Sequence, residues 1–135
     1  MKVVLDTNVL VSSTLTERGN PFKILKKAES GDIELFISPG IIQELEDVLM
    51  RDKIPFEEKS VKEFVEKIIS ISSLVVPEES FEVIDKDPED DKILECAVDS
   101  NAGYIISGDS HLLDLKNFRG IKILSPDKFL EVYEE

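Results

Sequence analysis

Acidic residues stand at four places where the chain could assemble a reactive site, each beside a predicted junction between a strand and a helix. They are Asp6, Glu44, Asp91 and Asp109. In an open parallel α/β sheet, such junctions converge at the carboxyl ends of the strands, where ligands bind. Four carboxylates cannot share one crevice as bare anions, because like charges raise each other's pKa. A divalent cation such as Mg²⁺ or Mn²⁺ removes this repulsion, so the pattern predicts a metal-dependent enzyme acting on a phosphate-containing substrate.

Strands and helices alternate along the sequence in an order that would carry these acids to one edge. Apolar, β-branched runs predict five strands, at Lys2–Leu5, Ile33–Ile37, Leu74–Val76, Tyr104–Ser107 and Ile121–Leu124. Capping residues, prolines and apolar stripes predict helices from Asn20 to Gly31, Ser38 to Met50, Phe56 to Ser72 and Asp87 to Ala102, through Leu112–Leu113, and from Ser125 onward. This alternation predicts a three-layer α/β fold, with a mostly parallel sheet of about five strands and helices on both faces.

Length and composition limit the class of protein. The 135 residues suit a single compact domain, residues 1–135. No apolar run approaches the roughly 20 residues that a membrane span needs, and the amino terminus shows no secretion signal, so we expect a cytoplasmic protein. The single cysteine, Cys96, excludes an internal disulfide and a cysteine-based zinc site.

The net charge of −13 argues against a general nucleic-acid binder. Such proteins owe much of their affinity to Lys and Arg side chains on phosphates. A nucleic-acid substrate would therefore have to be held locally, by the metal ions and a few basic side chains. Lys92, which follows Asp91, is the basic residue that the sequence places nearest to the acids.

Each acid taken alone also has a purely structural interpretation. Asp6 and Asp109 suit helix caps or turns, and Glu44 suits the early turns of a helix, where an acid interacts favourably with the helix dipole. Asp91 ends an acidic run, and its spacing from the apolar residues Leu94 and Val98 favours it over Asp90 as the inward-facing acid. The combination of four such positions is what predicts a site.

Three sequence runs resemble motifs of the PIN-domain nucleases. Leu5–Leu10 resembles the opening motif, Asp87–Ala97 resembles the third and Ile105–Leu113 resembles the fourth, while Ser38–Pro39 followed by Glu44 is similar to the second. The resemblance covers nearly the whole chain, in order. It implies a PIN-like fold and a metal-dependent endoribonuclease, that is, a hydrolase that cleaves the phosphodiester bonds of single-stranded RNA.

The resemblance also implies roles for individual residues and partners. Asp6, Asp91 and Asp109 would coordinate one or two Mg²⁺ or Mn²⁺ ions, and Glu44 would bind metal or orient water. From their positions beside the acids, Asn8 and Ser107 would support the carboxylates, and Lys92 and His111 would lie near substrate, although His111 suits an ordinary position at the start of a helix better. Many prokaryotic members resemble the toxin of a VapBC-type toxin–antitoxin pair, so the implied partners are a second copy in a homodimer and a small antitoxin protein whose basic tail would suit an acidic crevice.

Other functions fit parts of the pattern. A haloacid-dehalogenase-like phosphatase also begins with a strand ending in Asp, but it needs a second Asp two residues later, where this chain has Asn8. A receiver domain would need a lysine after the last strand, where Ser125–Pro126–Asp127 has none. A catalytically weak PIN-like scaffold that binds a protein or RNA partner remains a distinct alternative.

Overall fold

The structure is a computed structural model that describes residues 1–52, 58–78 and 88–134. Its central feature is a six-stranded sheet. Its strands are β1 (Lys2–Leu5), β2 (Glu34–Ile37), β3 (Ser72–Leu74), β4 (Tyr104–Ile106), β5 (Asn117–Phe118) and β6 (Ile121–Leu124). They lie in the order β3-β2-β1-β4-β6-β5, and every pairing is parallel except that of β5 with β6. The predicted mostly parallel sheet is confirmed.

Helices cover both faces of this sheet, as right-handed crossovers between parallel strands require. They are α1 (Thr7–Ser12), α2 (Asn20–Glu29), α3 (Pro39–Asp52), α4 (Glu58–Ile71), α5 (Pro88–Ser100), α6 (Ser110–Leu115) and α7 (Pro126–Glu134). Helix α5 packs across β1, β2 and β4, whereas α2 packs against α7 and α3 packs against α1 and α4. None of the helices in the described ranges is long and apolar enough to cross a membrane.

Strand β1 lies inside the sheet between β2 and β4, and its position fixes that of the residue after it. Val3 and Val4 are fully buried, and Leu5 pairs with Ile106. The backbone N–H of Asp6 continues this ladder by donating to the carbonyl of Ile106 at 2.9 Å. Asp6 therefore leaves the sheet at the same level as Ser107, at the carboxyl ends of both strands.

Two elements were absent from the sequence-based prediction. Helix α1 begins directly after Asp6, which the sequence offered as a helix cap or a turn without predicting a helix range there. Strand β5 is the first arm of a hairpin whose turn residues, Arg119 and Gly120, have φ angles of 50° and 85°. Positive φ at both turn positions is the geometry that tight hairpins favour, but the arm is only two residues long and leaves almost no apolar pattern.

Some predicted boundaries shift. Strand β3 spans Ser72–Leu74, earlier than the predicted Leu74–Val76, because α4 leads directly into it and Ser72 pairs with Leu35. Asn20 was predicted as a helix cap but is the first residue of α2, whose cap is Gly19. The predicted helix starts at Phe56 and Asp87 fall outside the described residues.

Candidate active site

The side chain of Asp6 is buried at the end of β1. The residue is only 5% exposed, and it caps α1 with an extended backbone. Burial raises the pKa of its carboxyl group above the ordinary value of 3.8, and the negative charge of Asp109 raises the pKa further. The hydrogen bond from Ser107 and the nearby backbone N–H groups of Thr7 and Asn8 act in the opposite direction.

Ser107 joins the two strand ends through one hydroxyl group. This fully buried residue donates from Oγ to Oδ2 of Asp6 at 2.6 Å and accepts the backbone N–H of Asp109 at 2.9 Å. The first bond ties the turn after β4 to the end of β1. The second fixes the backbone from which the Asp109 side chain projects, so a single side chain sets the position of both acids.

Asp109 is half-buried at the start of α6, where it caps the helix. Its Oδ1 accepts the backbone N–H of His111 at 3.0 Å, and Nδ1 of the His111 imidazole lies 3.8 Å from the same oxygen. The imidazole is largely exposed at the rim of the site. Asp109 therefore serves as a helix cap while its charge still acts on Asp6.

Glu44 reaches the same edge from inside α3, and not from a strand end. The buried hydroxyl of Thr7 donates to Oε2 of Glu44 at 3.0 Å. Because Thr7 follows Asp6 in the chain, this bond brings the α3 carboxylate to the strand end that carries Asp6. No local pattern predicts this contact, since the two residues are distant in the chain and threonine is common at helix starts.

Asp91 lies in the first turn of α5, also inside a helix and not at a strand end, and it is buried. Gly103, three residues beyond the end of α5, donates its N–H to the carbonyl of Lys2, at the amino end of β1. The opposite end of α5, with Asp91, must therefore lie towards the carboxyl ends of the strands. The preference for Asp91 as an inward-facing residue agrees with its burial.

The side chain of Lys92 packs against Gly40, near the start of α3. A Cβ atom added at Gly40 would lie 3.1 Å from Cδ of Lys92, so only a glycine leaves room for this side chain without displacement. Gly40 and Glu44 are one helical turn apart and share a face of α3. The contact brings α5 to the part of α3 that carries Glu44. Asn8, by contrast, is exposed on α1.

The chemistry of this donor set fits a hydrated divalent cation. Within the described residues, no three His, Cys, Asp or Glu side chains are grouped closely enough to enclose a metal ion. Mg²⁺ does not require such a cage, because it commonly keeps several waters and binds one or two carboxylates. Asp6 and Asp109, whose charges oppose each other, are the two acids that a cation would relieve most directly.

The lysines of α2 belong to another part of the surface. A cavity of about 760 Å³ between α2 and α7 is lined by Lys23, Lys26 and Lys27 and by none of the four acids. Lys26 lies 3.4 Å from Glu29, and the Lys27 ammonium lies 4.2 Å from the centre of the Tyr133 ring. These contacts suit an ordinary helix face better than a role beside the carboxylates.

This chain is similar to a protein-family model, to a relative of known sequence and to a solved structure. The family model described as PIN domain matches residues 2–111 of this chain. An uncharacterized protein of Methanocaldococcus jannaschii is 30% identical over 146 residues, covering 100% of this chain and 93% of the relative. A chain in the crystal structure of VapBC2 from Rickettsia felis, bound to a DNA fragment from their promoter, has a similar fold, with a TM-score of 0.63 and 14% identity over 91% of this chain and 97% of that chain.

The electrostatics of Asp6 predict that its charge destabilises the metal-free protein. Because its pKa is raised on folding, this group's contribution to the free energy of unfolding falls as pH rises from 3.8 through the folded pKa. Asp6→Asn, which keeps an acceptor for Ser107, should unfold at higher urea concentration than the wild type at pH 7, and the difference should shrink towards pH 4. Equal urea midpoints at pH 7 in a chelating buffer would contradict this assignment.

Proposed function

The chain belongs to the PIN-domain family of nucleases, and we propose that it is a metal-dependent endoribonuclease that hydrolyses phosphodiester bonds of single-stranded RNA. The observation that carries this proposal is the buried carboxylate of Asp6, held by Ser107 and opposed by the charge of Asp109. An arrangement that costs stability without a cation is expected where a cation and a phosphate substrate complete the charge balance.

The proposed roles of the residues follow from their contacts. Asp6 and Asp109 would hold one or two Mg²⁺ or Mn²⁺ ions, with Asp91 and Glu44 binding directly or through water. When bound, such ions lower the pKa of a water molecule and neutralise charge on the phosphate. Ser107 keeps both strand-end acids in position, and Thr7 keeps Glu44 turned towards them.

Lys92 is the cation that we assign to the substrate. Its side chain lies over Gly40, on the face of α3 that also carries Glu44. In a chain with a net charge of −13, a lysine held beside the acids attracts an RNA phosphate where bulk electrostatics would repel it. Asn8 and His111 stand at the exposed rim, where they would meet the nucleotides next to the cleaved bond.

The cellular role that we propose is the toxin of a toxin–antitoxin pair. The fold is shared with a chain of the Rickettsia felis VapBC2 assembly. A small antitoxin with a basic tail would complement the cluster of carboxylates, and a homodimer is the assembly that we expect. We further propose that residues 1–135 form one PIN-like domain that acts in the cytoplasm.

Cleavage of a mixed-sequence single-stranded RNA tests the function. We expect hydrolysis with Mn²⁺ or Mg²⁺ and none with EDTA, and a loss of about 100-fold or more in Asp6→Asn and Asp109→Asn. Asp114→Asn is the matched control, because Asp114 is an exposed aspartate on α6, the helix that Asp109 caps. Undiminished cleavage by Asp6→Asn would refute the site. Metal binding without any cleavage would favour the scaffold alternative.

The bond from Thr7 to Glu44 predicts a second effect on turnover. Thr7→Val removes the hydroxyl at nearly constant volume, and we expect a fall in kcat of about 10-fold or more, since the carboxylate loses the donor that orients it. Thr7→Ser keeps the donor and should remain close to wild type. Equal rates for the valine and serine variants, at equal thermal stability, would show that this bond does not position Glu44.

Lys92 predicts an effect on substrate binding. Lys92→Met should raise KM for RNA about 10-fold with little change in kcat, and it should reduce the slope of log K against log salt by roughly 0.7, the value of one phosphate contact on a single strand. Lys128→Met is the control, since Lys128 lies on α7 beside Glu131. An unchanged KM and salt slope would mean that Lys92 does not meet the RNA.

A further inference from the structure

A groove between α2 and α7 is lined by none of the residues proposed above to hold metal, water or RNA. Its volume of about 760 Å³ lies within the range of protein ligand sites, roughly 300–1,000 Å³. We call it the α2–α7 groove. Three lysines on the α2 wall and three acids on the α7 wall line it, namely Lys23, Lys26, Lys27, Asp127, Glu131 and Glu134.

The two walls carry opposite charges that do not neutralise each other. Each set of charged residues follows the three- and four-residue spacing of one helix face. Among the residues that the structure describes, no lysine of the α2 wall forms an ion pair with an acid of the α7 wall. Lys26 lies 3.4 Å from Glu29, and Glu131 lies 3.5 Å from Lys128, each within its own helix. Lys23 has no ion pair in the described part of the chain, so its charge is available to a ligand.

An aromatic ring also lines the α2–α7 groove. Phe22 is half-buried there, yet it belongs neither to the hydrophobic core nor to the side chains packed against that core. Its ring centre lies 6.0 Å from the ammonium of Lys26. Leu130, which is buried, adds an apolar surface on the α7 side. Because every nucleobase has a face that stacks on aromatic side chains, this part of the groove suits a nucleobase.

The α2–α7 groove starts at the edge of the sheet that carries the acids. The backbone N–H of Ser107 donates to the carbonyl of Leu124 at 2.9 Å, and α7 begins two residues later. The side chain of Asn20, the first residue of α2, donates to the carboxylate of Asp127. Both helices therefore begin beside the carboxyl ends of β4 and β6, and the groove extends from there between them.

A nucleotide matches the arrangement of groups in the groove. Its phosphate is an anion that suits a lysine, and its base combines a flat face with N–H donors on the edge that pairs in a duplex. Ionised carboxylates accept hydrogen bonds and do not donate them, so an acidic wall selects bases by their donors. Guanine presents adjacent donors on that edge, N1–H and the N2 amino group, which one carboxylate accepts together. Adenine, cytosine and uracil each present a single donor group there, beside an acceptor.

From these observations we propose that the α2–α7 groove binds a guanine nucleotide of the RNA strand that crosses the carboxylates, an inference that rests on the nuclease function proposed above. The phosphate lies on the α2 side at Lys23, because the acids of α7 repel it. The base stacks on Phe22 and directs its donors to α7. There Glu131 accepts them, since Asp127 already accepts from Asn20.

The position of the groove favours a nucleotide of the strand over a free nucleotide. The groove opens at the edge where the strand meets Asp6 and Asp109, so a strand that passes them reaches the groove without crossing the rest of the surface. A guanine bound there would fix which phosphodiester bond lies at the acids. The groove would therefore give the nuclease its sequence preference, which the carboxylates alone do not supply.

Calorimetric titration of the full chain with the four nucleoside 5′-monophosphates, in EDTA, tests binding without cleavage. We expect GMP to bind about 10-fold more tightly than AMP, CMP or UMP. Lys23→Met and Phe22→Leu should each weaken all four by about 10-fold, since one removes the phosphate contact and the other the stacking ring. Glu131→Gln should remove the preference for GMP. Lys62→Met and Glu66→Gln, on the exposed face of α4, are the matched controls and should bind like the wild type.

Single-stranded RNAs distinguish the strand from a free nucleotide. In EDTA, an RNA that contains guanine should bind about 10-fold more tightly than a guanine-free RNA of equal length, and GMP should compete with it. With Mn²⁺, cleavage should fall at a fixed distance from the guanine, and Glu131→Gln should lose that position while still cleaving. Thermal unfolding of each variant verifies that the fold is intact.

The outcomes separate the groove from the nuclease site. The absence of a GMP preference, or a preference that Phe22→Leu and Glu131→Gln leave unchanged, would overturn the proposal even if cleavage depends on Asp6. GMP binding with equal affinity for the two RNAs would overturn the assignment to the strand. Guanine-selective RNA binding without any cleavage would support the groove and count against the nuclease function.

Discussion

The burial of one carboxylate at the end of the central strand β1, with a second carboxylate close enough to act on it, is the constraint on which the candidate site depends. Asp6 is buried, and Asp109 lies near enough to raise its pKa further. The hydroxyl of Ser107 ties the two positions together, because it donates to the carboxylate of Asp6 and accepts the backbone N–H of Asp109. The sheet supplies the rigidity, since β1 and β4 pair directly and deliver both turns at one level. The energetic cost of this arrangement is localised where a cation can remove it.

The sequence determined the fold more clearly than it determined the site. Alternating apolar runs and capping signals identified β1, β2, β4 and β6 and the helices between them. The hairpin arm β5 was missed because two residues carry no periodic pattern, and α1 was missed because it is only six residues long and begins directly at the end of a strand. The β3 shift arose because Leu74 and Val76 look like buried strand residues but are exposed, a property that depends on tertiary structure.

For the site, sequence reasoning could select acids but not their partners. Helical spacing favoured Asp91 as an inward residue, and its burial agrees with that choice. The roles assigned to the four acids stay predictions. Thr7 holding Glu44, and Gly40 making room for Lys92, arise from contacts between distant segments, so no local pattern could reveal them. Glu44 and Asp91 reach the edge from within helices, as the predicted helices from Ser38 to Met50 and from Asp87 to Ala102 implied.

The strand order has a consequence for when the protein becomes competent during its synthesis. Strand β1 is made first, but its neighbour β4 and the hydroxyl of Ser107 come from the last third of the chain. A nascent chain that ends after α4 carries Asp6 and Glu44 but lacks the strand and the second acid that complete their setting. Such non-local pairing also forms slowly compared with helices. A growing chain therefore lacks the complete cluster of carboxylates until most of it has been synthesised, so the candidate site is one of the last parts of the fold to form.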